Sequence, residues 1–398
     1  MVPSQKILDK YADVLINFAL NNGKGVKPGE VVLLRVPECA KPLLKSLYKT
    51  VLLAKAHPII QYSPDEMSRD LFEYGKEKQI SFFPKKYYKG LVDEADHLVA
   101  VLAETNKKEL EGIDSSLIMK RQTAFRPFMQ WREEKENKGK FSWTLGLYGT
   151  NAMAKEARLT LKEYWDQIIK ACFLDEKDPV AHWKKVTKEV DRLKDKLNSL
   201  DIDHLRVESK DTDLIIGLDK NRKWLGGGGH NIPSFEVFIS PDFRRTQGKI
   251  RFNQPLYRYG NLIDEVYLEF KKGNVVKADA KKGLAVLKDM IKTKGANYVG
   301  EFSLTDRRLS NITKFMAETL YYENVGGRQG NTHIALGNAY KDSYPKNPIK
   351  VPKSKWKEMG YNESVIHTDI VSTYKRKVTA TLKNKKTLVI YEDGEFKI

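Results

Sequence analysis

Cysteine is nearly missing from this 398-residue chain. Cys39 and Cys172 are the only two, far apart and in no CxxC pattern. That excludes a disulfide framework and a cysteine-built zinc site, and it predicts buried, reduced thiols in a cytoplasmic protein. Long apolar runs are missing too. No stretch approaches the roughly 20 residues of a membrane span, so no membrane partner is expected. The start, Met1-Val2-Pro3-Ser4-Gln5-Lys6, has neither the apolar core nor the small-residue cleavage site of a secretory signal. No GxGxxG or Walker pattern follows a strand-like segment, which argues against a nucleotide site. There is no internal repeat and no low-complexity tract. The formal net charge of +18 raises nucleic-acid binding, yet the longest purely basic run is only Lys375-Arg376-Lys377, and acidic residues are interspersed nearly everywhere. A diffusely basic surface without a reader motif leaves nucleic acid as a minor alternative.

What is present suits a globular enzyme: 41% hydrophobic and 31% charged residues in a chain long enough for two domains. Apolar spacing over Ile7 to Ala19 predicts an amphipathic helix, and Pro28-Gly29 turns the chain into the β-branched run Glu30 to Val36. A helix over Leu43 to Ala56 leads to a second strand, His57 to Tyr62. A short helix near Tyr87 to Ala95 precedes a third, Asp96 to Leu102. This alternation predicts an α/β N-terminal domain built on a parallel sheet. Thr150 to about Leu200 reads as helical, and Asp213 to Gly217 as a strand. The run Gly226-Gly227-Gly228-Gly229 is the clearest break in the sequence and reads as a flexible hinge. It sets the expected domains at 1–225 and 226–398. Beyond it, short strands at Glu236–Ile239, Lys249–Phe252, Asn274–Ala278 and Thr387–Tyr391 surround one helix near Ala280 to Lys292. They predict an α+β catalytic domain with a mostly antiparallel, curved sheet.

The chemistry-bearing residues concentrate in that second domain. In Ile366-His367-Thr368-Asp369-Ile370, residues two apart on a strand share a face, so His367 and Asp369 aim together. Such a pair can ligate zinc or a similar ion, although HxD alone is equally a solvent-side hydrogen-bonded pair. His333 lies where a glycine-rich loop meets an apolar stretch, with Tyr340 close behind, and each can also be a packed core residue. Glu323 ends the strand-like run Thr319 to Tyr322. Glu236 and Glu301 stand in apolar surroundings, where an unpaired carboxylate costs several kcal/mol, on the order of magnitude of any buried charge. One such glutamate is an exposed residue or a salt bridge to lysine. Six such groups within one domain point to a metal site.

The set Asn231-Ile232-Pro233…Glu236-Val237-Phe238, Gly300-Glu301, Tyr322-Glu323-Asn324, His333-Ile334-Ala335-Leu336-Gly337 and His367-Thr368-Asp369 resembles the thermophilic-type metallo-aminopeptidases, the aminopeptidase T family. Order and approximate spacing match from Gly226 to about Ser372. The resemblance implies a pair of divalent ions, zinc first with cobalt or magnesium as alternatives. It implies Glu236, Glu301, Glu323, His333, His367 and Asp369 as ligands, with Glu301 the bridge. Tyr340 matches a tyrosine beside the metals, as ligand or as stabiliser of the tetrahedral intermediate. The implied activity removes amino acids from peptides with a free N-terminus through a bridging, metal-activated water, in a homodimer. A metal-dependent amidohydrolase acting on a non-peptide substrate is the alternative. Two features depart from the family's pattern. The stretch Asn324 to Thr332 is longer than usual, and Phe235 stands where many members have glycine. Both bear on the rim of the pocket.

Overall fold

The computed structural model describes residues 3–398 and divides into two compact units. One runs to Thr187 and takes in Gly228–Ser234 and Phe315–Ala317. The other comprises Lys188–Gly227, Phe235–Lys314 and Glu318–Ile398. The grouping differs from a simple break at residue 225/226. The strands Ile202–Ser209 and Thr212–Gly217 form rungs of the second unit's large sheet, where they pair with Arg376–Leu382 and Thr246–Arg251. Ladder hydrogen bonds outweigh position in the chain here: the chain crosses between the units at Thr187/Lys188 and again inside the glycine run, at Gly227/Gly228.

The first unit holds a four-stranded, wholly parallel sheet. Val31–Pro37 lies between His57–Ser63 and His97–Leu102, and Ser142–Leu147 flanks the last. Val32, Leu33, Leu34 and Val36 are buried, which is why the central strand reads as a continuous apolar run. The fourth strand is not evident in the sequence, because Ser142, Thr144 and Gly146 interrupt its apolar side chains. The N-terminal helix is regular over Gln5–Asp13 and widens into a buried π-helical turn over Val14–Ala19.

The second unit contains an eight-stranded and a five-stranded antiparallel sheet. The smaller sheet matters most. Its order is His367–Ser372, Asn331–Gly337, Val299–Thr305, Glu236–Ile239 and the short Leu225–Gly226. Asn331–Gly337 and Val299–Thr305 are buried along their whole length. Thr319–Tyr322 is a one-turn helix rather than the end of a strand. Its chain turns on the bond from the Glu323 N–H to the Thr319 carbonyl.

Between Val299 and Glu301 the register slips by one residue, forming a bulge at Gly300. A Cβ at Gly300 would stand 2.3 Å from the Asn338 carbonyl oxygen, so no larger residue fits without moving that strand end. Gly300→Ala is expected to cost about 1–3 kcal/mol through forced backbone displacement. Urea unfolding of the metal-stripped protein measures it, and an unchanged midpoint contradicts it.

Candidate metal centre

Sheet register brings together the backbone positions of five of the six predicted side chains, all but Glu323. Glu301 lies opposite Ala335, and Ala335 opposite Asp369. Ser303 lies opposite His333 and Phe238, Thr305 opposite Glu236, and Gly337 opposite His367. Directly opposed residues of an antiparallel ladder share a face, so Glu236, Glu301, His333, His367 and Asp369 project from one side. Ala335, between Glu301 and Asp369, offers only a methyl group there and leaves room.

The side chains converge accordingly. His333 Nε2 lies 3.2 Å from Glu301 Oε1, 3.3 Å from Glu236 Oε2 and 3.8 Å from Asp369 Oδ1. His367 Nε2 lies 3.3 Å from the other Glu301 oxygen and 3.5 Å from Asp369 Oδ1. Two triads therefore form, Glu236–Glu301–His333 and Glu301–His367–Asp369, each with donor atoms within 4.8 Å of one another. Glu301 belongs to both, one oxygen facing each histidine. Glu323 is buried at the C-terminal end of its helical turn, close enough for Glu236, Asp369 and Glu301 to act on it electrostatically. Tyr340 is outside the triads, its ring tilted against His367 at 4.8 Å between centres and edge-on to Phe238 at 5.7 Å.

Several residues that hold this arrangement were not singled out from sequence. Ser303 donates its hydroxyl to Glu236 Oε2 at 3.0 Å. The Asn338 carbonyl lies 2.8 Å from His367 Nδ1, which holds a proton on Nδ1 and turns Nε2 inward toward Glu301 and Asp369. Thr305 Oγ1 and Asn331 Nδ2 each donate to the Glu323 carbonyl at 3.1 Å. Strand alternation is the one signal that could have found two of them, since Ser303 and Thr305 follow Glu301 at two-residue steps on the same face. His333 Nδ1, by contrast, is buried without a hydrogen-bond partner.

The electrostatics are those of a cage built for positive charge. Burial raises the Glu236 carboxyl to about 7, with Glu301 and Asp369 adding to the rise against the pull of His333. Burial, then the fields of Glu236, Asp369 and Glu301, hold Glu323 well above the usual carboxylate range. Burial by itself would lower His333, but the hydrogen bond with Glu301 and the charges of Glu236 and Asp369 outweigh it and raise the imidazole to about 9. His367 is raised against its own desolvation by Asp369 and Glu301. Glu301 and Asp369 resist burial and stay below their ordinary values because those histidines face them. Burial and the nearby Glu301 and Asp369 raise the Tyr340 phenol well above its normal range. Among the described residues, the charged groups that pair with Glu236, Glu301 and Asp369 are histidines alone. Carboxylate oxygens with imidazole nitrogens, free of lysine or arginine, are the donor chemistry of zinc and neighbouring divalent ions. The residues present fit such ions.

Comparison with known proteins decides the family. The model of the Thermophilic metalloprotease (M29) family matches residues 4–396. The chain belongs to the thermophilic metalloproteases. Aminopeptidase PepS of Streptococcus thermophilus is 28% identical over 422 residues, covering 98% of this chain and 98% of that protein. Aminopeptidase T of Thermus thermophilus is 26% identical, with 91% of each chain covered. Among solved structures, wild-type AmpT from Thermus thermophilus superposes with a TM-score of 0.84 at 23% identity, over 99% of this chain and 100% of that one, which establishes the shared fold. Membership of a metalloprotease family carries divalent-metal binding with it.

A titration consequence follows. With His333 at about 9 and His367 raised, both imidazoles are protonated near neutrality in the metal-free protein, and a metal ion binds only their neutral forms. Affinity should rise with pH up to about 9, and loading at pH 7 should release about two protons per chain or more. Calorimetric titration in buffers of different ionisation enthalpy reads this number directly. Release of fewer than one proton contradicts the assignment of the histidines.

Proposed function

We propose that the protein removes amino acids one at a time from the free N-terminus of peptides, at a centre of two divalent ions bridged by Glu301. That it is a metallo-aminopeptidase follows from its family and from relatives named aminopeptidases. The observation that carries the finer reading is the sharing of Glu301 between the two triads. In this reading Glu236 and His333 complete one side, His367 and Asp369 the other, and Glu323 closes the cage. Four carboxylates match the four positive charges of two divalent ions. The mixed oxygen and nitrogen donors favour zinc, with cobalt or magnesium as substitutes.

When bound, such a metal pair supplies Lewis acidity to a peptide carbonyl and lowers the pKa of a water molecule. The chain's own residues do the rest. Ser303 fixes the Glu236 carboxylate and the Asn338 carbonyl fixes the His367 ring, so the donors need not reorganise when substrate arrives. The His367 and Asp369 side chains are 23% and 14% exposed, against 1% for His333, 5% for Glu301 and 9% for Glu236. Substrate therefore approaches along the His367–Asp369 edge, the side on which Tyr340 stands. Tyr340 is the catalytic side chain in this scheme, and its variant separates its two possible roles. The Phe235 ring is fully buried, and the Phe235 N–H donates to Asn324 Oδ1 at 2.7 Å. That bond ties the segment before Glu236 to the turn that carries Glu323. The same reading includes a homodimer, on the family resemblance, and a cytoplasmic location, which suits Cys39 and Cys172, neither of them in a disulfide.

Chelation should abolish hydrolysis of leucyl-p-nitroanilide, and Zn²⁺ or Co²⁺ should restore it, while N-acetylated substrates resist throughout. Glu301→Ala and His367→Ala should each lose more than about 100-fold in kcat/KM, since loss of a supporting partner alone costs about 10–100-fold. Tyr340→Phe should keep two bound metals and lose kcat if the phenol is a donor, or lose metal if it is a ligand. Full activity in Glu301→Ala, with metal content unchanged, would remove the proposal.

A further inference from the structure

Two arginines of the first unit carry charge that the metal centre does not use. Arg35 extends from the central strand Val31–Pro37 and Arg132 from the helix Arg126–Asn137. Both guanidinium groups stand over the ring of Phe128, 5.4 Å and 5.6 Å from its centre. Both residues are half-buried, and Arg132 Nε is sealed from solvent with no hydrogen-bond partner. Arg35 Nε donates to Gln61 Oε1 at 2.7 Å, a neutral acceptor. The acceptor recorded for Arg132 is Met129 Sδ, 3.9 Å from Nη1. Glu136, one helical turn beyond Arg132, has its Oε1 taken by Trp143 Nε1 at 3.0 Å and His230 Nε2 at 3.1 Å. Among the described residues, no carboxylate hydrogen-bonds either guanidinium.

Such an arrangement is costly as it stands. Burial lowers the Arg132 pKa to about 10, the positive charge of Arg35 deepens the fall, and Glu136 offsets only part of it. Burial lowers Arg35 as well. Aromatic rings recover less than the desolvation of an unpaired guanidinium costs: Phe128 serves both charges, and Phe141, 5.5 Å from the Arg132 guanidinium, adds a second ring for only one of them. A buried polar group without a partner calls for an explanation, and a bound ligand or ion is one.

We propose that Arg35 and Arg132 form a binding site for a phosphate group, either inorganic phosphate or the phosphoryl group of a small molecule. Two guanidinium charges call for a dianion, and phosphate carries about −1.5 to −2 near neutrality where a single carboxylate carries −1. The planar donor fork of arginine matches phosphate oxygens in pairs. No glycine-rich phosphate loop is needed, because side chains supply the donors.

The test titrates the metal-loaded protein with inorganic phosphate, phenyl phosphate and succinate against chloride at matched ionic strength, by calorimetry and thermal unfolding. Phosphate should bind and raise the unfolding midpoint by about 3 °C or more near saturation, with succinate weaker. Arg35→Met and Arg132→Met should each weaken binding at least about tenfold. Tighter binding of phenyl phosphate assigns an organic phosphate as occupant, and equal binding assigns the free ion. If either methionine variant misfolds, Arg35→Lys and Arg132→Lys keep the charge but lose the fork, and should still weaken binding. The proposal is overturned if phosphate gives no response beyond chloride, if the lysine variants bind as the parent does, or if the response persists in the double methionine variant. Persistence would place the anion elsewhere, for example on the metals.

Discussion

Confining four carboxylates and two imidazoles within one buried space is the constraint from which the second unit's design follows. Left alone, these groups compensate one another only partly: the histidines are driven toward their charged forms, and Glu236 and Glu323 toward their neutral ones. Divalent metal bound there would relieve that compromise, letting the carboxylates ionise and the imidazoles turn neutral. Folding and metal binding are thereby coupled, as expected where donors are held in place by the sheet rather than by flexible loops.

The sheet meets the constraint by geometry. Three neighbouring strands contribute Glu301, His333, His367 and Asp369 on one face, and Glu236–Ile239, beyond Val299–Thr305, adds Glu236. The bulge at Gly300 breaks the regular alternation at the residue just before Glu301, the group that both triads share. Bulges commonly re-aim a side chain beside a functional site, and this one also brings the backbone close to the Asn338 carbonyl that orients His367. One glycine thus bears on both triads. Ala335 has a complementary role, since a larger side chain there would fill the space between Glu301 and Asp369.

Much of this was legible in the sequence. The His367–Asp369 spacing specifies a shared face on any strand, and the parallel βαβ rhythm of the first hundred residues is written in apolar runs such as Val31 to Val36. Other features were hidden for physical reasons. The fourth parallel strand alternates Trp143, Leu145 and Leu147 with Ser142, Thr144 and Gly146, and so lacks the continuous apolar run that marks its central neighbour. The turn bearing Glu323 follows two aromatic residues that resemble a strand, while tertiary contacts make it helical. The hydrogen bonds from Ser303, Thr305 and Asn331 depend on strand register, which one sequence does not reveal. The glycine run Gly226 to Gly229 is easily read from composition and does hold one crossing between the units, whereas the long-range ladders that group residues 188–227 with the second unit are not legible there.

The most direct test of the central claim is anomalous diffraction from crystals grown with zinc or cobalt and measured on both sides of the metal's absorption edge. The account predicts two peaks per chain flanking the Glu301 carboxylate, one beside Glu236 and His333 and the other beside His367 and Asp369. A single peak, or two peaks that do not share Glu301, would contradict it.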